Sequence, residues 1–202
     1  MTDIRTWDDF LSACENCRAC PLAETRDRVV VWRGSIQAPL MFIGEGPGAE
    51  EDRRGLPFVG AAGRLLDSAL EALGLTEDLI HIANIVKCRP PGNRVPAEEE
   101  AKACRPLLAA QFRFVRPRVI VLLGATAYKY FTGQKDGITK VRGQWIEKGG
   151  YAILPTLHPA YILRNGREKP HLWEDLAAAR AKLEELGLAP PLEENAPSPS
   201  GG

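Results

Sequence analysis

The feature that most constrains the fold is a set of short apolar segments alternating with longer stretches of helical periodicity. The apolar segments predict strands at Leu40–Ile43, His81–Val86, Val119–Leu123 and Tyr151–Leu154. Helical periodicity predicts helices at Arg64–Leu73, Ala97–Phe114 and His171–Leu186. Strands that alternate with helices of this length are typical of α/β proteins. The pattern therefore predicts a three-layer sandwich whose central, mostly parallel, four-stranded sheet is flanked by helices.

Three of the predicted strands run into loops of unusual composition, with the sequences GEGPG, NIVKCRPPGNR and TLHPAYILR. In parallel α/β sheets, ligands bind beyond the carboxyl ends of the strands. We therefore expect a functional site at the edge of the sheet where these loops meet.

Composition limits the remaining possibilities. The 202 residues suit one domain, which we place at 1–188, and the Pro-, Ser- and Glu-rich segment 189–202 predicts a disordered tail. The 26 basic and 26 acidic residues cancel, which excludes binding by bulk basicity but allows a local basic face. No uncharged apolar run reaches the roughly 18 residues of a membrane helix, and the acidic N-terminus is unlike a signal peptide. We expect a cytoplasmic protein with no membrane contact.

The five cysteines predict a metal or redox site, because cytosolic thiols stay reduced. Cys17 and Cys20 form a C-x2-C pair, and 15 residues separate Cys88 from Cys104. Cys14 extends the first pair to C-x2-C-x2-C, but the fourth cysteine of a ferredoxin run is absent. Four thiolates from two distant pairs can hold zinc or an iron–sulfur cluster, and the wide second spacing favours the larger group. Unpaired buried cysteines are the alternative.

Two strand-end loops carry further candidate groups. The glycine-rich GEGPG loop could cradle a phosphate, but it matches neither phosphate-binding fingerprint, and Pro47 lacks the N–H that a phosphate would use. A tight turn from strand to helix is the competing interpretation. His158 follows the last strand and precedes several basic residues, which is the pattern of a site that meets an anion.

The four segments GEGPGAEED, LPFVGAAG, NIVKCRPPGNR and HPAYILR, with these cysteine spacings, resemble the family 4 uracil-DNA glycosylases, which are iron–sulfur proteins. The resemblance covers residues from about 11 to 187. It implies a monomeric, monofunctional hydrolase of base excision repair, which flips uracil out of DNA and hydrolyses its N-glycosidic bond. It also implies a structural 4Fe–4S cluster, with Cys14 as an extra cysteine and the ligands Cys17, Cys20, Cys88 and Cys104.

The resemblance also implies roles for individual residues in the uracil pocket. Phe58 would stack on the flipped uracil, Asn84 would read its polar edge, and His158 would donate to uracil O2 as negative charge develops there. Gly46 stands where the related family 1 enzymes carry a water-positioning aspartate, so that role passes to Glu45, to backbone groups of the loop, or to no single residue. The rest of the expected uracil-binding set is Gly44 and Glu51, the latter near uracil C5, where it would exclude the thymine methyl group.

The segment after His158 would contact DNA. Either Ile162 or Leu163 would act as the wedge that fills the vacated base stack, and Arg164 and Arg167 would meet phosphates. Two other classes of function are considered: a non-catalytic or crosslinking uracil-DNA binding protein on the same fold, and an electron-transfer module. The joint presence of His158, Asn84 and Phe58 favours the enzyme over both.

Overall fold

The computed structural model describes residues 4–191, which form a six-stranded sheet with helices on both faces. The strand order is β1-β3-β2-β4-β6-β5. In chain order, the strands are β1 Arg33–Gly34, β2 Leu40–Gly44, β3 Ile80–Asn84, β4 Val119–Leu123, β5 Ile146–Lys148 and β6 Tyr151–Thr156.

The helices follow the alternation that the sequence predicts. They are α1 Trp7–Glu15, α2 Leu22–Thr25, α3 Ala49–Arg54, α4 Ala61–Ala72, α5 Glu98–Val115, α6 Ala125–Thr132, α7 Ile138–Val141, α8 Pro159–Arg164 and α9 Lys169–Glu185. Short 3-10 helices lie at Pro91–Asn93 and Gly166–Glu168. Helix α4 begins before the predicted Arg64, because its N-cap is Gly60, which has no side chain to mark the start.

The predicted fold class is confirmed, and the four predicted strands are the inner ones. Strands β2, β3, β4 and β6 are mutually parallel, and every residue of β2, β3 and β4 is buried. Two antiparallel edge strands, β1 and β5, extend the sheet to six. The sequence analysis missed them because they have only two and three residues and none of these is fully buried.

The hydrophobic core lies on both faces of the sheet. Alternate residues of β2 divide between the faces: Leu40 and Phe42 pack towards α4 and α9, whereas Met41 and Ile43 pack towards α5 and α6. This alternation with two buried faces is typical of a sheet covered by helices on each side. A third cluster of apolar side chains attaches α1 to α5 and contains Trp7, Phe10, Cys14, Val31, Trp32 and Phe114.

The parallel inner strands bring four loops to one edge of the sheet. These loops follow Gly44, Asn84, Leu123 and Thr156. Of the predicted tail, only 189–191 lie within the described residues, and Ala189 packs against the core there. The rest of the tail lies outside the described residues, so the domain boundary stays a prediction.

Candidate active site

A cleft of about 530 Å³ opens at this edge of the sheet. The loops after β2, β3, β4 and β6 all contribute to its walls, as the strand-end pattern predicts. Six of the residues that the sequence analysis singled out line it: Glu45, Gly46, Glu51, Phe58, His158 and Arg164.

Gly44 and Asn84, two of the predicted uracil-binding residues, do not themselves line the cleft but lie next to Phe58, which does. A Cβ atom on Gly44 would stand 2.4 Å from Asn84 Oδ1 and 2.6 Å from Cζ of Phe58. Such distances exclude any side chain at this position unless its neighbours move. The absence of a side chain on Gly44 therefore allows the Asn84 amide and the Phe58 ring to approach each other.

Asn84 ends β3 and is buried. Its Oδ1 has no hydrogen-bond partner among the described residues. A buried polar atom left unpaired typically costs about 1–3 kcal/mol, so such an atom needs an explanation. A ligand donor at this position would provide one.

Phe58 is held in an uncommon backbone conformation, with φ of 55°. The carboxylate of Glu51 accepts hydrogen bonds from the main-chain N–H groups of Val59 (3.0 Å), Gly60 (2.8 Å) and Gly48 (3.1 Å). Glu51 therefore fastens the Phe58 loop to the start of α3. The exclusion of a thymine methyl group by Glu51 stays a prediction.

His158 is the N-cap of α8. Its Nδ1 accepts a hydrogen bond from the Ala160 N–H at 3.1 Å, and its ring centroid lies 5.7 Å from that of Phe58. Burial, aided by the positive charge of Arg164, lowers the pKa of His158 to about 4. The imidazole is therefore neutral at pH 7, with its proton on Nε2.

The cleft also contains polar residues that the sequence analysis did not single out. Thr126 donates a hydrogen bond from its hydroxyl to Glu45 Oε2. Arg94 is held by Glu100 through contacts of 2.8 and 2.6 Å, and Asn93 also lines the cleft. The strand-end rule that identified the other loops could have identified Thr126, because it follows β4 by three residues.

Helix α8 separates the two candidate wedge residues. The side chain of Ile162 packs in the core and the residue is 2% exposed, whereas Leu163 is 51% exposed. Arg164 faces the cleft, and Arg167 lies in the following 3-10 helix, outside the core. Both basic residues thus follow the exposed Leu163, at the end of α8 and in the next 3-10 helix.

A second pocket brings all five cysteines together, with Arg26 and Lys87 among the other residues that line it. Cys88 and Cys104 are buried, and Cys17 and Cys20 are half-buried. An Arg26 guanidinium nitrogen donates to Cys88 Sγ at 3.0 Å. Within residues 4–191, no group of three or more His, Cys, Asp or Glu side chains is placed to hold a metal ion. The pocket therefore supplies a thiol-rich donor set.

None of the helices in the described range is long and apolar enough to cross a membrane.

Comparison with known proteins identifies the family of this chain. The family model of the uracil DNA glycosylase superfamily matches residues 31–177. A type-4 uracil-DNA glycosylase of Thermotoga maritima is 46% identical over 177 residues, which cover 86% of this chain and 92% of the relative.

Two further relatives give the same result. The type-4 enzyme of Sulfurisphaera tokodaii is 42% identical, over 87% of this chain and 82% of the relative. That of Saccharolobus solfataricus is 43% identical, over 83% of this chain and 82% of the relative. The chain belongs to the uracil DNA glycosylase superfamily and, within it, to the type-4 uracil-DNA glycosylases.

Proposed function

We propose that this protein is a monofunctional uracil-DNA glycosylase, which hydrolyses the bond between uracil and deoxyribose and leaves an abasic site. The observation that carries the proposal is the buried Asn84 Oδ1 at the end of β3, which lies beside Phe58 and has no hydrogen-bond partner within residues 4–191. The names of the type-4 relatives support the same activity.

Base selection follows from the hydrogen-bonding groups of Asn84. Its Oδ1 can accept the N3–H of uracil, and its Nδ2 can donate to O4. Cytosine presents an acceptor at N3 and a donor at C4, so it would leave both groups of the amide unpaired. A site that mispairs buried polar groups in this way discriminates strongly.

The uracil must leave the base stack before it can reach this amide. Extrusion costs a few kcal/mol, and stacking on an aromatic side chain recovers part of that cost. Phe58 is the aromatic residue of the cleft that contacts Gly44 and approaches His158. We assign it to stack on the flipped base.

His158 stabilises the leaving group. As the glycosidic bond breaks, its electron pair passes to the uracil ring, and negative charge develops on O2. The neutral imidazole of His158 offers its Nε2–H to that oxygen, because Nδ1 is occupied by the Ala160 N–H. One well-placed donor to a developing oxyanion lowers the activation free energy by roughly 3–4 kcal/mol.

The water that attacks the sugar needs an acceptor. Of Glu45 and Glu51, which both line the cleft, Glu51 already accepts three main-chain hydrogen bonds. Glu45 is held on one oxygen by the Thr126 hydroxyl. We therefore assign Glu45 to orient the water: its carboxylate accepts the water proton as the water oxygen bonds to the sugar carbon and the bond to uracil breaks.

DNA binding would use the segment around α8. Leu163 is exposed and apolar, as required of a side chain that enters a vacated stack. Arg164 and Arg167, which follow it in the chain, would contact phosphates near the flipped base. The balanced net charge is compatible with this role, because local charge governs the encounter with DNA. We propose that a monomer suffices.

The cysteine pocket supplies the thiol ligands that a 4Fe–4S cluster needs. Four of its thiols come from two distant parts of the chain, and the Arg26 and Lys87 side chains supply positive charge beside them. Cys17, Cys20, Cys88 and Cys104 would hold the cluster, whose contribution is a structural crosslink between the N-terminal segment and α5. Cys14 packs with Phe10 in the aromatic cluster, which favours a role in the core.

A uracil-containing oligonucleotide tests the proposed function. The protein should convert it to an abasic product that alkali cleaves, and an otherwise identical oligonucleotide with cytosine should stay intact. Tight binding of the uracil oligonucleotide without cleavage would instead indicate a binding protein on this fold. Loss of activity in His158→Ala, compared with the unaltered chain, assigns the cleavage to this cleft.

A further inference from the structure

The residue that orients the Glu45 carboxylate comes from a different strand-end loop. Thr126 lies in the first turn of α6, which follows β4, whereas Glu45 lies in the loop after β2. The Thr126 hydroxyl donates to Glu45 Oε2, across 81 positions of sequence. Both residues line the cleft.

The main chain around Glu45 is held independently of this contact. The Gly44 carbonyl accepts from the Ile85 N–H at 2.9 Å, and the Glu45 carbonyl accepts from the Val86 N–H at 3.3 Å. These bonds fix the backbone of Glu45 to the segment that continues β3. These backbone bonds do not fix the rotamer of the Glu45 side chain, which therefore depends on the contacts of its carboxylate.

Thr126 is held just as firmly on its own side. The Gly124 N–H donates to the Thr156 carbonyl at 2.9 Å, and the Gly124 carbonyl accepts from Tyr128 at 3.1 Å. Gly124 has a φ of 90°, and a Cβ there would stand 2.8 Å from the His158 Cβ. The start of α6, which carries Thr126, is thereby packed against the loop that carries His158.

The chemistry of the donor also matters. A hydroxyl fixes a carboxylate oxygen without cancelling its charge, whereas a guanidinium would form an ion pair with it. Arg94, a cation of the same cleft, is engaged by Glu100 at 2.8 and 2.6 Å. Glu45 can thus be oriented and still accept a hydrogen bond from water.

We propose that Thr126 is a positioning residue, which holds the Glu45 carboxylate in the orientation that accepts the attacking water. The inference rests on the proposed glycosylase function and adds a specific residue to it. A preset orientation removes rotamer freedom that the side chain would otherwise lose during the reaction.

Comparison of Thr126→Val with Thr126→Ser distinguishes the effect of the hydroxyl from the effect of side-chain shape. We expect Thr126→Val to lower the single-turnover excision rate roughly tenfold to a hundredfold, the loss typical of a misplaced catalytic group. Thr126→Ser retains the hydroxyl and should restore most of the rate. Thr132→Val is the matched control, because its hydroxyl donates to the Tyr128 carbonyl of the same helix, away from the cleft.

A double-mutant cycle with Glu45→Gln distinguishes positioning from a structural role. If Thr126 acts through the carboxylate, Thr126→Val should slow Glu45→Gln far less than it slows the unaltered enzyme. Affinity for a product oligonucleotide with an abasic site should not change. Fully independent effects, or a loss of affinity as large as the loss of rate, would overturn the inference and indicate a DNA-contacting role.

The two proposals fail in different ways. If the unaltered chain excises no uracil, the proposed function is wrong. If it excises uracil and Thr126→Val does so at the same rate, only the positioning role is wrong. Thermal unfolding of each variant checks that it is folded. If the valine variant does not fold, Thr126→Ala replaces it in the double-mutant cycle.

Discussion

The Nδ1 atom of His158 accepts a hydrogen bond from the main-chain N–H of Ala160, two residues later in the first turn of α8. One contact thus caps the helix and sets the tautomer of the imidazole. A cationic imidazole would have to break this bond, because both of its nitrogens are donors. Helix capping and leaving-group stabilisation therefore require the same neutral form of His158.

The first prediction concerns the protonation of His158. Since burial lowers its pKa to about 4, it should be neutral at pH 6 in the folded protein. The folded state then binds fewer protons than the unfolded chain, whose histidine pKa is about 6.5. The contribution of His158 to the free energy of unfolding therefore has its full value above pH 6.5 and is lost as the pH falls towards 4. Titration followed by NMR tests it, and a midpoint for His158 near 6.5 would contradict it.

Removal of the His158 side chain should affect rate far more than binding. Its contact with O2 strengthens only as the bond breaks, so His158→Ala should slow single-turnover excision by roughly two to three orders of magnitude. Uracil-DNA affinity should change little. Rapid-quench kinetics measures the excision rate, and equilibrium binding measures the affinity. Equal losses of rate and affinity would show that His158 only lines the pocket and does not stabilise the leaving group.

Asn84 should determine base identity. Asn84→Asp replaces the amide donor by an acceptor, so excision of uracil should fall strongly and discrimination against cytosine should relax. Excision rates on uracil and cytosine oligonucleotides, taken as a ratio, measure the effect. If the variant excises uracil more slowly but keeps the uracil-to-cytosine rate ratio of the unaltered chain, Asn84 does not determine base selection.

Leu163 and Ile162 are adjacent and apolar, but substitutions there should have different effects. Leu163→Ala should reduce excision from double-stranded DNA more than from single-stranded DNA, because a wedge is needed where a stack must be filled. Ile162→Ala empties a core position and should lower the free energy of unfolding by about 2–5 kcal/mol.

Excision assays on both substrates, with thermal unfolding of each variant, test this division. Equal losses on the two substrates for Leu163→Ala would exclude the wedge role.

The cysteines should divide into ligands and a core residue. We expect a brown protein with broad absorbance in the visible blue, which Cys88→Ser or Cys104→Ser should lose. Cys14→Ala is the matched control and should keep the colour. Cys14→Ser should also keep it but be less stable, since Cys14 is fully buried and an unpaired hydroxyl there costs about 1–3 kcal/mol.

Metal analysis and absorbance spectra decide the question of the cluster. A colourless, zinc-loaded protein with full activity would contradict the iron–sulfur assignment. Loss of colour in Cys14→Ala alone would show that the ligand set is wrong.

The inner sheet could be predicted because its strands are short and largely apolar, as expected of strands buried on both faces. Val119–Leu123 matches its predicted bounds, and the other three inner strands differ only at their ends. The edge strands could not be predicted, since a strand such as Arg33–Gly34 exists only because it pairs with β3.

The sequence by itself determined the α/β alternation, the loops that meet at one edge, and the residue types available there. Tertiary structure alone decided what those side chains contact: Glu51 binds the Phe58 loop, Thr126 reaches Glu45, and Leu163 rather than Ile162 faces outward. The physical reason is range. Periodicity and capping act within a few residues, whereas these contacts depend on packing between segments that are distant in the chain and become neighbours only when the sheet forms.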